Sequence, residues 1–246
     1  MLFSGSEAYL QAWLGLPYSI RTGKPAWERN HGSAFFDYLQ NHREQQAVFD
    51  AAMTSLSGPE AEALVEAYDF SALHKVLDVG GGHGTLLASI LKRNPTLRGG
   101  IFEQLQVLES ARSAIQCAGL SDRCEFVAGN FFDSIPEGYD AYLLKYVIHD
   151  WSDDNAIRIL RNCRQAMSER SKLLLMEMIN SPVASSEVAA VSDLEMLVLL
   201  GGQERSEQDF ASLLGEASFR LNRILPTRSP LSILEALPIV SESKGG

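Results

Sequence analysis

Cysteine is scarce in this sequence. There are three among 246 residues, Cys117, Cys124 and Cys163, with no CxxC pair and no histidine at ligand spacing from them. That argues against a disulfide-stapled scaffold or a structural zinc site and fits a reducing cytosol. Positive charge is also in short supply: 21 lysines and arginines face 31 aspartates and glutamates, a formal net charge of −10. A nucleic-acid duplex, whose phosphates need a basic face, is therefore not the expected partner. No run of about 18 apolar residues occurs, so no membrane-spanning helix is expected. The most apolar stretch, Leu194 to Leu200, is interrupted by Glu195 and stops at Gly201-Gly202. The opening MLFSGSEAYLQAWLGL lacks the basic start and unbroken apolar stretch of a secretion signal. Internal repeats and low-complexity segments are absent too. At 46% hydrophobic and 21% charged the chain is too apolar for disorder, and it reads as a soluble, cytoplasmic globular protein.

Two patterns divide the chain. Residues 1–70 carry helical periodicity, with Phe35, Phe36 and Leu39 on one face and Val48, Phe49, Ala52 and Met53 on another. Within this part Ser57-Gly58-Pro59-Glu60 reads as a helix start, with proline near the first helical position and acids in the first turn. From residue 71 to 246, short apolar runs alternate with amphipathic helices. Strands are expected at Val76–Val79, Gly100–Phe102, Cys124–Val127, Tyr139–Tyr146 and Leu173–Met178, and helices at Leu86–Leu91, Gln104–Cys117 and Asp153–Met167. This spacing argues for a parallel, doubly wound α/β sheet. Phe219–Leu225 and Leu231–Ala236, separated by Pro226-Thr227-Arg228-Ser229-Pro230, read as an antiparallel hairpin closing one edge, and Ser241–Gly246 as a frayed terminus.

The sharpest local signal is Leu77-Asp78-Val79-Gly80-Gly81-Gly82-His83-Gly84-Thr85-Leu86, an apolar strand that ends in an acid, passes four glycines and opens a helix. Glycines there permit a sharp turn and close approach to a ligand. The acid two residues before the first glycine repels a pyrophosphate and suits a cationic or hydroxyl-bearing ligand. A second acid, Glu103, closes the next strand, where a carboxylate is able to take both hydroxyls of a ribose.

LDVGGGHGTLLASIL, IFEQLQVLESAR, YLLKYVIHDWSDDNAIRILRNC, LLLMEMI and DLEMLVLLGGQERSEQDF occur in that order. Together they resemble the class I S-adenosylmethionine-dependent O-methyltransferases, in the subgroup of plant caffeic acid and acetylserotonin enzymes and bacterial polyketide-tailoring enzymes. The resemblance covers residues of about 10 to 238. It implies a Rossmann-like seven-stranded sheet with an N-terminal helical lid, S-adenosylmethionine as cofactor, and methyl transfer to a hydroxyl or enol of a small natural-product acceptor. It places Asp78, Gly80 and Gly82 on the loop that holds the methionyl part. Glu103 falls on the ribose-binding acid, where the plant enzymes usually have aspartate. Asn130-Phe131 falls beside the adenine amino group, where aspartate is usual instead of Asn130, and Lys145 near the adenine.

The resemblance also singles out His149 as general base. Imidazole titrates near neutrality, and His149 follows a strand at the carboxyl edge of the sheet, where ligands bind in such folds. Glu177, a charge interrupting the apolar strand Leu173–Met176, falls on the acid that orients the base, and Glu204 on a second acid beside it. For Glu204 an ion pair with Arg205 is the alternative. Methyl transfer from a sulfonium needs alignment and one base, so no metal is expected; Asp150, Asp153 and Asp154 read instead as a helix start with N-terminal acids. Phe49, Met53 and Met196 match regions that line an apolar acceptor pocket. Most relatives begin with a winged-helix dimerisation domain that is not matched here. The expectation is a different dimer, a monomer, or a domain of a larger synthase acting on a carrier-protein-bound acceptor, with Arg21, Lys24 and Arg29 as a docking patch.

Overall fold

The computed structural model describes residues 3–180 and 187–240; the expected frayed terminus lies outside the described residues. Five helices come first: α1 (Glu7–Leu14), α2 (Leu16–Thr22), α3 (Ala26–His31), α4 (Phe35–Asn41) and α5 (Arg43–Ala67). Strands and helices then alternate through β1 (Lys75–Val79), α6 (Thr85–Arg93), β2 (Arg98–Glu103), α7 (Leu105–Cys117), β3 (Cys124–Ala128), β4 (Ala141–Lys145), α8 (Asp153–Ala166) and β5 (Lys172–Glu177). The chain continues with α9 (Glu187–Leu199), α10 (Glu207–Glu216), β6 (Phe219–Pro226) and β7 (Ser232–Pro238). Among the described residues no helix is long and apolar enough to cross a membrane.

The seven strands lie in the order β3-β2-β1-β4-β5-β7-β6, the first five parallel and β7 antiparallel to both neighbours. The hairpin read from the turn residues after Leu225 thus inserts its second strand beside β5. Alternate residues of each central strand face opposite layers. Leu77, Val79, Tyr142, Leu144, Leu173 and Leu175 pack with α8 and α10, whereas Val76, Leu143, Leu174 and Met176 pack with α5, α6 and α7. A third cluster, with Phe3, Tyr9, Trp27, Phe35 and Leu39, forms the helical cover and draws Val198 and Leu199 from α9.

One local expectation fails. Ser57-Gly58-Pro59-Glu60 does not start a helix but lies inside α5. Pro59 lacks the N–H that would bond to the Ser55 carbonyl. Both residues are exposed, so the Ser55 carbonyl is open to solvent and not buried without a donor. The helix is held on either side, by Phe49 in the cover cluster and by Ala61, Leu64 and Val65 against the sheet layer.

The strand order reverses between β1 and β4: β2 and β3 run outward on one side, β5 and β7 on the other. Loops leaving the carboxyl ends of β1 and β4 therefore part there and open a crevice. The glycine-rich turn follows β1, and the segment from Tyr146 to His149 follows β4.

Candidate active site

Asp78 in β1 is buried, and its Oδ2 has no hydrogen-bond partner. Burial pushes its carboxyl up to about 7, with Lys145 opposing. Gly80 turns the chain at φ +69 and donates its N–H to Phe102 O at 2.8 Å. A Cβ at Gly80 would stand 3.1 Å from Val147 Cγ2, whereas one at Gly82 would meet only open space. Glu103 at the end of β2 accepts from the Gly82 N–H (3.1 Å) and the Gln104 N–H (2.7 Å), and burial raises its pKa. Two desolvated carboxylates around an open glycine turn fit a ligand that brings positive charge and hydroxyls, and S-adenosylmethionine has a sulfonium, an ammonium and a ribose diol. Phe131 is half-buried beside Gly80. Asn130 is exposed, and its side-chain oxygen accepts from the Phe132 N–H at 2.9 Å. Lys145 is engaged by α5, with Nζ 2.9 Å from Glu60 Oε2 and donating to Ser57 Oγ at 3.2 Å.

After β4 the chain passes Tyr146, at φ +55, into a short 3₁₀ turn, Ile148–Asp150, that carries His149. Left-handed backbone at an aromatic residue costs about 1–2 kcal/mol. It directs the Val147 and Ile148 N–H groups onto Glu177 Oε1, at 3.2 and 2.8 Å. The other Glu177 oxygen lies 4.0 Å from His149 Nδ1 and is buried without a hydrogen-bond partner. Glu204 Oε1 is 2.8 Å from the same Nδ1. A carboxylate only accepts, so Nδ1 carries the proton and the neutral ring keeps Nε2 as its basic nitrogen. Glu204 is fixed in turn by Ser192, whose hydroxyl donates to Oε1 at 2.6 Å, and by its own N–H, which donates to Asp193 Oδ1 at 2.8 Å.

His149, Glu177 and Glu204, expected together, are thus brought together. Burial alone lowers the imidazole pKa, but Glu177, Asp150 and Glu204 outweigh it and hold it up, at about 9. Burial raises Glu177 to about 7 against the pull of His149. One ligand atom from each of the three lies within 4.8 Å of the others, a donor set that also suits a divalent ion, although Nδ1 and Glu204 are already joined by a hydrogen bond.

The reading of Asp150 as part of a helix start needs correction. α8 begins at Asp153, and Asp150 sits in the 3₁₀ turn with Oδ1 3.3 Å from His149 Nε2. Burial raises its carboxyl to about 6, with His149 opposing. The alternative partner for Glu204 also falls away. Arg205 is buried and turned the other way, donating to Asp153 Oδ1 (2.8 Å), Ile148 O (2.9 Å) and Trp151 O (2.7 Å). Successive residues of an extended segment face opposite sides, so neighbours in sequence serve different partners. Ser192, Asp150, Tyr146 and Arg205 escaped sequence reasoning. The one usable signal was an arginine beside the second acid.

Of the residues expected at the acceptor, Phe49 packs edge-on in the cover with Phe3 (5.2 Å) and Phe35 (5.4 Å). Met53 lies one turn further along α5 and is exposed, and Met196 is buried in α9. A different set of rings surrounds Trp151, which follows the His149 turn: Phe132 at 4.8 Å, Phe131 at 6.0 Å and Phe36 at 6.5 Å.

Residues 13–220 match the model of the O-methyltransferase domain. The chain belongs to the O-methyltransferase family. This O-methyltransferase is 42% identical over 238 residues to phenazine O-methyltransferase PhzM of Lysobacter antibioticus, covering 97% of the chain and 70% of that protein. The structure of mitomycin 7-O-methyltransferase MmcR superposes with a TM-score of 0.93 at 39% identity, over 96% of this chain and 70% of that one. The O-methyltransferase NcsB1 from neocarzinostatin biosynthesis, in complex with S-adenosylmethionine and 2-hydroxy-5-methyl naphthoic acid, superposes with a TM-score of 0.86 at 33% identity, over 94% and 70%. The methyl donor of this O-methyltransferase is S-adenosylmethionine, and its relatives work in natural-product biosynthesis. The seven-stranded class I methyltransferase sheet expected from the resemblance is the one observed.

Proposed function

We propose that this enzyme methylates a phenolic or enolic hydroxyl of a planar aromatic natural-product intermediate, with His149 as general base. The observation that carries the reading is the 2.8 Å contact of His149 Nδ1 with the buried Glu204, which leaves Nε2 to receive a proton. Bound in the crevice, S-adenosylmethionine supplies an electrophilic methyl group on a sulfonium. Asp78, Gly80, Gly82, Glu103, Phe131 and Asn130 are the residues assigned to hold it, and Lys145 acts there through its ion pair with Glu60.

As the acceptor oxygen attacks, its proton passes to Nε2. Glu204 and Glu177 stabilise the resulting imidazolium from the Nδ1 side, and Asp150 accepts from the new Nε2–H. Trp151, Phe131, Phe132 and Phe36 offer an apolar aromatic cluster, packed largely edge to face, beside this turn. The Trp151 indole N–H is buried without a hydrogen-bond partner, a free donor for an oxygen of the acceptor. The hydroxylated naphthoic acid bound by NcsB1 is an acceptor of this kind. Phe49, whose ring lies 6.4 Å from Phe36, and the flexible Met53 and Met196 are the further residues assigned to the acceptor side.

A carrier-protein-bound acceptor is the second form of this reading. Arg21 and Lys24 are exposed on and just after α2, where an acidic carrier would need positive charge. Incubation with methyl-labelled S-adenosylmethionine and either free hydroxynaphthoic acids or carrier-linked hydroxyacyl chains tests both forms. Label on an acceptor oxygen supports the reading and tells which form is used. Cofactor binding with no label on any oxygen overturns it in favour of a diverged tailoring reaction or a silent domain.

A further inference from the structure

Tyr146 is one of two non-glycine residues with positive φ among the described residues, and the only aromatic one. Its side chain is held at both ends. The ring stacks on the His149 imidazole, with centroids 5.1 Å and planes 24° apart. The phenol donates to Glu60 Oε1 at 2.8 Å, across 86 residues of sequence. The second Glu60 oxygen meets Lys145 Nζ at 2.9 Å, and both of these side chains are nearly buried, at 13% and 11% exposure. Glu60 therefore grips two consecutive residues at the end of β4, the second of which lies flat on the base. Burial, then Glu60, push the phenol pKa upward, so the ring stays neutral.

We propose that Glu60 and Tyr146 are positioning residues through which α5 sets the plane of the His149 imidazole. The inference rests on His149 acting as the base. Glu204 and Asp150 hold the ring at its two nitrogens, along its edge. Edge contacts alone leave the ring free to rock about the line joining those nitrogens, and a face contact removes that motion. A hydrogen bond from a phenol to an ionised carboxylate is strong enough to hold the face contact in place. Proton transfer from a small acceptor tolerates little misalignment of the base. The device also joins the cover to the chemistry, because Glu60 sits on α5 while Tyr146 directly follows β4. A helix that merely needed anchoring would not require a left-handed aromatic residue at the anchor; its exposed tie between Glu62 and Ser89 Oγ, at 3.0 Å, does that without touching the base.

The test compares Glu60→Gln, Tyr146→Phe and Tyr146→Leu with Glu62→Gln in the full chain. The first readout is the set of His149 imidazole NMR resonances, followed with pH, which needs no acceptor. The titratable groups facing that ring are Asp150 from its own turn, Glu177 from β5, Glu204 from the segment after α9, and Tyr146, with Glu195 of α9 contributing at longer range. These stay in place in all the variants except at position 146. The second readout is kcat and KM with S-adenosylmethionine and 1,4-dihydroxy-2-naphthoic acid.

The His149 resonances are expected to move in all three test variants. In the same variants kcat falls about tenfold with cofactor KM within about twofold, while Glu62→Gln changes neither. Unchanged His149 resonances in Glu60→Gln and Tyr146→Phe, even with a lowered unfolding temperature, would overturn the proposal and reduce the pair to a strut. If Tyr146→Leu does not fold, the two conservative variants decide. His149→Ala is run alongside: turnover within about tenfold of wild type removes the base role, and the resonances still decide whether the pair orients the ring.

Discussion

His149 Nδ1 and Glu204 Oε1 lie 2.8 Å apart across 55 residues of sequence. What brings them together is the turn at Gly201-Gly202, which passes so close to the 3₁₀ turn that the Gln203 N–H donates to His149 O at 2.9 Å. A Cβ on Gly202 would run into His149 O and stand 2.6 Å from Asp150 C and 2.8 Å from Asp150 O, all backbone atoms of the 3₁₀ turn with no flexible side chain to yield. Gly202→Ala is therefore expected to lower stability by about 3 kcal/mol and to pull Glu204 off His149. Urea unfolding checks the first part, and loss of methyl transfer in the fraction still folded checks the second.

Arg205 serves the same turn from the other side. Its guanidinium satisfies Ile148 O and Trp151 O and pairs with Asp153. Arg205→Met leaves two carbonyls without donors and is expected to destabilise by about 2–4 kcal/mol. Arg205→Lys should recover little of that, because a single ammonium does not reproduce the planar fork. Equal stability of the lysine variant and wild type in urea would contradict this.

The carboxylates around His149 make the site pH-dependent in a defined direction. Its folded pKa, about 9, lies above the ordinary value, so the folded state holds a proton that the unfolded state has released. The stability this provides is complete below about pH 6.5 and is lost as pH rises through about 9. The upward shifts of Glu177 and Asp150 act in the same sense at lower pH. For catalysis the neutral ring is the active form, so kcat/KM should rise with pH toward the same region. Glu177→Gln removes an attraction for the imidazolium and should move that rising limb about one unit lower. A limb that stays put or moves up would contradict the assignment.

Asp78 separates cofactor binding from folding. Asp78→Asn keeps the shape and removes a buried carboxylate with one unpartnered oxygen. Affinity for S-adenosylmethionine by calorimetry should fall about 10- to 100-fold, while the unfolding temperature of the free protein does not drop. A lowered unfolding temperature with intact affinity would place Asp78 in structural support instead.

Alternating apolar runs and amphipathic helices made the sheet and its closing hairpin legible, because strand and helix periods differ and the turns are marked by proline and glycine. Asp78, Glu103 and Glu177 were legible because charge at the end of an apolar strand has few structural uses, whereas His149 and Glu204 stood out only through the family resemblance. Pro59 misled, since a local rule about helix starts gave way to packing on both sides of it. Asp150 was hidden among three acids that read alike, and only the extended backbone at Trp151 and Ser152 separates it from the helix that follows. Tyr146 itself carries no sign of a left-handed backbone, which is set by Glu177 and Glu60 from distant parts of the chain.

The central claim is that His149 takes the acceptor proton. Single-turnover transfer of labelled methyl from S-adenosylmethionine to a hydroxynaphthoic acid, measured for wild type and His149→Ala at saturating cofactor, addresses it directly. The account predicts a fall of about 10²- to 10⁴-fold with cofactor affinity unchanged. A rate within about tenfold of wild type would contradict it.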